Sequence, residues 1–187
     1  MTRLRLLAAF TLTAAATAPL EAQLKAALST RATAEVTLST PRVQGQPAPT
    51  PVKIRIDYGQ PHARGRKVMY DVVKLDSVWR LGANAATEFS TDADLLLGGA
   101  TIPKGKYTLF TLPTKGGWKL IVNKHTGEWG TEYDASADLV KVDLKARTLS
   151  EAVESLQITL VPADGPAKGV LTIAWGTLML SVDWAAK

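Results

Sequence analysis

An all-β fold, an antiparallel two-sheet β-sandwich with long polar loops, is what the sequence predicts. Three observations predict it. Short runs of alternating apolar and polar residues recur along the chain, turn residues separate them, and no long segment keeps a helical period. At 187 residues the chain is long enough to bury one core without help. It contains no cysteine, so disulfides, thiolate metal ligands and cysteine nucleophiles are excluded.

The first residues read as an export signal. Arg3 and Arg5 give a positive start, Leu6 to Ala18 is apolar apart from threonines, and small residues lead to Ala22. Cleavage is expected near Ala22, which makes residues 1–22 a signal peptide and places the protein in the periplasm or outside the cell. The apolar run is shorter than the roughly 20 residues of a membrane-spanning helix, so no transmembrane segment is expected in the mature chain. Residues 23–34 are expected to be a flexible N-terminal segment with a short helical remnant at Leu24 to Leu28. A single β-sandwich domain then covers 35–187.

Within that domain, Val36 and Leu38 alternate with polar neighbours between Glu35 and Ser39, as a first strand would. Four prolines between Pro41 and Pro51 remove backbone donors and fix φ, which makes that stretch a surface loop. Val52, Ile54, Ile56 and Tyr58 form one face of a half-buried strand. Lys67 to Ser77 fits a short helix or irregular structure equally well. Strands follow at Thr87 to Thr91 and Asp94 to Leu97, with a tight turn at Gly98-Gly99. Lys106 to Leu112, Trp118 to Asn123, Val140 to Leu144 and Leu156 to Leu160 continue the pattern. Val170 to Trp175, Gly176-Thr177 and Leu178 to Trp184 read as a final hairpin with a two-residue turn.

The segment Val78-Trp79-Arg80-Leu81-Gly82-Ala83-Asn84-Ala85-Ala86-Thr87-Glu88-Phe89 concentrates chemically useful groups. Arg80 suits two-pronged binding of a carboxylate or phosphate, with Asn84 and Thr87 completing a polar cup. The plainer alternative is that Arg80 pairs with Glu88 or Asp76 and pins the loop. Trp79 fits a core plug better than a ligand platform. The polar loop from Lys124 to Asp134 carries Trp129 and Tyr133, which with Trp118 could form a sugar-stacking surface or fold inward as a cap. Candidate ligand-binding residues are therefore Arg80, Asn84, Thr87, Glu88, Trp129 and Tyr133.

No catalytic residue, metal or cofactor is assigned. His62 and His125 begin no ligand spacing, and a site with Glu128 would need convergence in space. There is no Gly-x-Ser-x-Gly elbow and no phosphate-binding glycine loop after a strand. Glu88 with Glu128 is one of many carboxylate pairs that could serve glycoside hydrolysis. The net charge of +5 is spread singly rather than in a block, which excludes a nucleic-acid surface.

Several ordered motifs carry a family resemblance. They are Tyr58-Gly59-Gln60-Pro61, Gly65-Arg66-Lys67, the Val78 to Asn84 segment and Pro103-Lys104-Gly105-Lys106-Tyr107-Thr108-Leu109-Phe110. Trp118, Ile121-Val122-Asn123-Lys124 and Trp129-Gly130 complete the series. Together they resemble the secreted bacterial family catalogued as domain of unknown function 2911. The resemblance implies an exported, β-rich protein and brings no reaction with it. Many members carry Arg where this chain has Gln60 and Glu where it has Ala85, so a charged role at those positions does not transfer. The expected function is a non-catalytic module of the cell envelope that binds a small molecule, a sugar or an envelope protein. A hydrolase of carbohydrate or envelope polymers, and a purely structural envelope protein, are the alternatives.

Overall fold

A computed structural model describes residues 27–187 apart from Pro166; the expected signal peptide, and residues 23–26 of the expected N-terminal segment, lie outside the described residues. The described residues are almost entirely β in character. Nine strands follow in order: β1 (Thr30–Leu38), β2 (Val52–Gln60), β3 (Thr87–Thr91), β4 (Leu95–Leu97), β5 (Ala100–Ile102), β6 (Gly105–Thr114), β7 (Gly117–Asn123), β8 (Asp138–Pro162) and β9 (Lys168–Ala186). All pairings are antiparallel, and their hydrogen-bonded order is β1-β2-β3-β6-β7-β8-β9-β4-β5 in one nine-stranded sheet. The pairing thus runs through one continuous sheet where two had been expected. Among the described residues no helix is long and apolar enough to cross a membrane.

The sheet stays continuous because β8 belongs to both halves. Its first part pairs with β7 from Asp138 to Leu144, and its remainder pairs with β9 from Lys145 onward. Two strands had been expected at Val140 to Leu144 and Leu156 to Leu160; they are the ends of this one long strand. Between them the register with β9 shifts twice, around Val153, so the ribbon bends instead of breaking. The bend returns β8 to the end of β2. Ile158 N donates to Tyr58 Oη at 3.1 Å, Leu156 N to Pro61 O at 2.9 Å, and Ala63 N to Glu154 O at 2.7 Å.

Alternation fills the interior. Ile54 and Ile56 from β2, Leu109 from β6, Leu120 and Val122 from β7, and Leu156 from β8 are almost wholly buried in one apolar cluster. The expected hairpin at Gly176 is absent: β9 runs straight through it. Gly176 has φ +58° and lies opposite Val153 at the register shift, so it forms a bulge. The residues of β9 in the apolar cluster are odd-numbered before it (Leu171, Ile173, Trp175) and even-numbered among the buried ones after it (Leu180, Val182, Trp184). A one-residue bulge changes phase in this way, and a glycine between two alternating runs looks the same in sequence as a turn. Gly98-Gly99, by contrast, is a turn: both residues have positive φ, and Leu97 pairs with Ala100 across it.

Other boundaries move modestly. β1 begins at Thr30, five residues ahead of the expected Glu35, because Thr30 to Ala34 pair with Ile56 to Gln60 of β2. Ala27 and Leu28 are not helical. The ambiguous Lys67 to Ser77 stretch contains a single π-helical turn, Val68–Val72.

A charge ladder covers the outer face of β1 and β2. Lys53 and Arg55 bond Glu35 at 3.0 and 3.2 Å, while Arg55 and Arg31 both hold Asp57. Burial pulls the Asp57 carboxyl upward, but the Thr33 hydroxyl and the two guanidinium groups outweigh it and hold it below the usual carboxylate value. A group depressed in this way stabilises the fold above its unfolded pKa and loses that contribution as pH falls through the folded one. We expect Asp57→Asn to cost less than about 1 kcal/mol near neutral pH. In thermal melts the gap between wild type and variant should close below about pH 4. A gap that persists in acid would mean that ion pairing is not its cause.

Candidate functional site

The Trp79–Arg80 segment is fastened from four sides. Trp79 exchanges two backbone hydrogen bonds with Thr111 of β6, both 2.8 Å. Ala83 N donates to Gly59 O of β2 at 3.1 Å, and Thr87 Oγ1 donates to Leu81 O at 3.0 Å. On the fourth side, Gly130 N donates to Asn84 O at 3.2 Å, and Ala85 bridges Trp129. Two non-glycine residues here adopt left-handed backbone, Leu81 at φ +51° and Asn84 at φ +63°. Asn accepts this readily, but for Leu it costs about 1–2 kcal/mol. Leu81 is fully buried, so the core holds the segment in a conformation that Leu81 would not choose.

Beside this segment opens a cleft of about 450 Å³. Trp79 and Trp175 line it as a stacked pair, with centroids 5.6 Å apart and planes at 15°. Phe110 and Tyr133 meet edge to face at 5.0 Å on another wall. Arg66, Arg80, Asn84 and Thr131 supply polar groups, and no Asp or Glu is among the lining residues. Arg80 is half-buried and forms no ion pair with any described residue, so the expected pairing with Glu88 or Asp76 is not made. Tyr133 Oη donates to Asp138 Oδ2 at 2.6 Å. Burial and that carboxylate push the phenol well above its ordinary value, so it remains a donor.

The loop bearing Tyr133 is anchored through Asn123. Its Nδ2 donates to Asp134 O and Asp138 Oδ1, both at 2.8 Å, and its Oδ1 accepts from His125 N at 2.8 Å. That side chain is completely buried and has both ends satisfied.

The remaining predicted residues separate. Thr87 is completely buried and works as a fastener behind the cleft, not as part of a polar cup. Glu88 is exposed in a second hollow with Arg55, Asp57 and Lys106. Trp129 is 53% exposed and outside the cleft lining, whereas Trp118 is in the core, so no stacking surface unites Trp118, Trp129 and Tyr133. Glu128 is buried, with neither carboxylate oxygen hydrogen-bonded to a described residue, and it does not line the Arg80 cleft. His62 contacts Ser155 Oγ at 2.7 Å and His125 is exposed; among the described residues no three His, Asp or Glu groups are placed to hold a metal.

Gly130, Arg66 and Trp175 were not among the candidate ligand-binding residues, although Arg66 and Gly130 stand in the Gly65-Arg66-Lys67 and Trp129-Gly130 motifs. Gly130 is the most informative of them. A Cβ there would lie 2.6 Å from Arg80 Cδ and 2.7 Å from Asn84 O, so only glycine lets the Arg80 stem rest against this loop. The signal for Gly130 in the sequence was the Trp129-Gly130 motif. Gly130→Ala is expected to displace Arg80 and weaken ligand binding by about tenfold, or 1.4 kcal/mol. Gly127→Ala in the same loop is the control. With φ +85° and nothing within 4 Å, it should cost about 1–2 kcal/mol of stability and leave binding unchanged. Equal binding loss in both variants would mean that general loop damage, not Arg80 placement, is responsible.

A family model described as protein of unknown function (DUF2911) matches residues 34–184. The chain belongs to the DUF2911 family. The match runs from Ala34 within β1 to Trp184 near the end of β9, and so includes both the Arg80 segment and the Tyr133 loop. No curated protein and no solved structure matches this DUF2911 chain significantly.

Proposed function

We propose that this DUF2911 protein is an exported, non-catalytic binding module whose ligand is a small organic anion held in the Arg80 cleft. One observation carries the reading. A guanidinium without an ion pair among the described residues stands in an aromatic-walled cleft that no described Asp or Glu lines, on a segment kept in a costly backbone conformation. Strain retained by the surrounding core is a mark of functional segments. The cleft volume is in the range of small-molecule sites. Export to the periplasm or beyond is supported by the charged, then apolar, then small-residue order of the first 22 residues. The scaffold is read as a sandwich in which the bent sheet packs its two halves on one core. The shared cluster of β2, β6, β7, β8 and β9 side chains supports that. Hydrolysis has less support, because Glu88 and Glu128 both lie outside the cleft lining.

A thermal-shift screen of wild type and Arg80→Ala against organic acids, sugars and peptidoglycan fragments tests the proposal. An acid present at a hundred times its Kd adds about 2.7 kcal/mol, which raises the wild-type Tm by about 5–10 °C. The variant should not respond. A sugar or an acid that stabilises both proteins equally would remove Arg80 from any binding role.

A further inference from the structure

We infer that the Arg80 cleft is one half of a longer groove, and that its ligand is an extended organic diacid with an apolar middle. The inference rests on the Arg80 reading above and adds the ligand's length and second charge. A neighbouring hollow of about 380 Å³ is lined by Lys67, Val68, Met69 and Thr177, and it shares Arg66 and Trp175 with the Arg80 cleft. Trp175 lines both hollows from beneath and is itself only 2% exposed. Its indole Nε1 donates to Glu154 O at 3.1 Å, which fixes the ring, and its stack with Trp79 extends the aromatic floor toward Arg80.

Arg66 is the exposed divide between the hollows. Its Nε donates to Ala63 O at 3.0 Å and its Nη2 to His62 O at 2.6 Å, leaving Nη1 for a ligand. Lys67 lines the second hollow and not the first. Its backbone N donates to Asp71 Oδ2 at 2.7 Å, and its ammonium forms no ion pair with a described residue. Neither hollow has an Asp or Glu in its lining. The combined groove therefore carries Arg80 in one hollow, Lys67 in the other and Arg66 shared between them, with Trp175 and its stacked partner Trp79 as the aromatic floor. A flat or apolar body lies on such a floor, and its acidic ends meet Arg80 and Lys67.

The test compares rigid acids of matched skeleton, biphenyl monocarboxylate and biphenyl dicarboxylate, with terephthalate as a shorter diacid. Binding is followed by calorimetry and by quenching of tryptophan fluorescence. The long diacid should bind wild type about tenfold more tightly than the monoacid, consistent with one added charge-assisted contact. Lys67→Gln, an exposed change, should abolish that advantage and leave the monoacid affinity within about twofold. Arg80→Ala should weaken both. If the monoacid binds through Arg80 but neither diacid binds better, or if Lys67→Gln leaves the advantage intact, the groove is refuted and the Arg80 cleft survives. If no acid in the series binds natively folded wild type, both readings fall.

Discussion

Gly59→Ala is expected to be the most damaging single methyl group that can be added to this protein. A Cβ at Gly59 would lie 1.9 Å from Ala83 O and 2.7 Å from Ala83 C, and both are backbone atoms that no side-chain rotation can move. Relief requires β2 and the Arg80 segment to part. That strains the 3.1 Å bond from Ala83 N to Gly59 O and lifts Leu81 from its fully buried position. Overpacking with backbone displacement costs about 3 kcal/mol, and the Tm should fall by about 6–12 °C. Denaturant melts of the two proteins measure the loss directly. A variant melting within about 2 °C of wild type would show that the contact between β2 and the Arg80 segment is soft.

Substitution of Arg80 should do the opposite, removing ligand binding while sparing the fold. The guanidinium holds no carboxylate among the described residues, so its loss breaks no ion pair there. What the fold loses is the packing of the stem against Gly130, which should cost less than about 1 kcal/mol. A charge-assisted contact to an anion is worth about 1.5–3 kcal/mol. Arg80→Ala should therefore weaken an acid ligand by about 10- to 150-fold. Arg80→Lys keeps the charge but not the two-pronged geometry, and should recover only part of the affinity. Titration calorimetry beside a melt of the unliganded proteins separates the effects. If the unliganded Arg80→Ala protein melted far below wild type, Arg80 would belong to the framework instead.

The sequence conveyed the strands well because each buries one face, and period-two alternation records which face that is. Thr87–Thr91 is legible to the residue, and β2 and β7 differ from expectation by only one or two residues. Alternation says nothing about whether two runs are separate strands. That is why Gly176 reads as a turn, and why the two runs at the ends of β8 read as independent strands. Of the candidate residues, Arg80, Asn84 and Tyr133 line one cleft, and the chemistry concentrated there made them legible. The site was illegible where partners come from distant segments. Trp175 is 96 residues beyond Trp79, and nothing local to it signals a cleft floor. Thr87 was misread for a related reason: a hydroxyl beside Arg80 in sequence faces the backbone carbonyl of Leu81 once the segment folds back.

The course of β8 bears on how the molecule comes apart. Its single 25-residue run supplies the border strand to both halves of the sheet, with β7 on one side and β9 on the other. Neither half can detach without pulling hydrogen bonds from the backbone that edges its neighbour. We therefore expect the protein to unfold as one cooperative unit, with fluorescence and circular-dichroism melts coinciding, and a loosened Arg80 segment to weaken strands that never touch it.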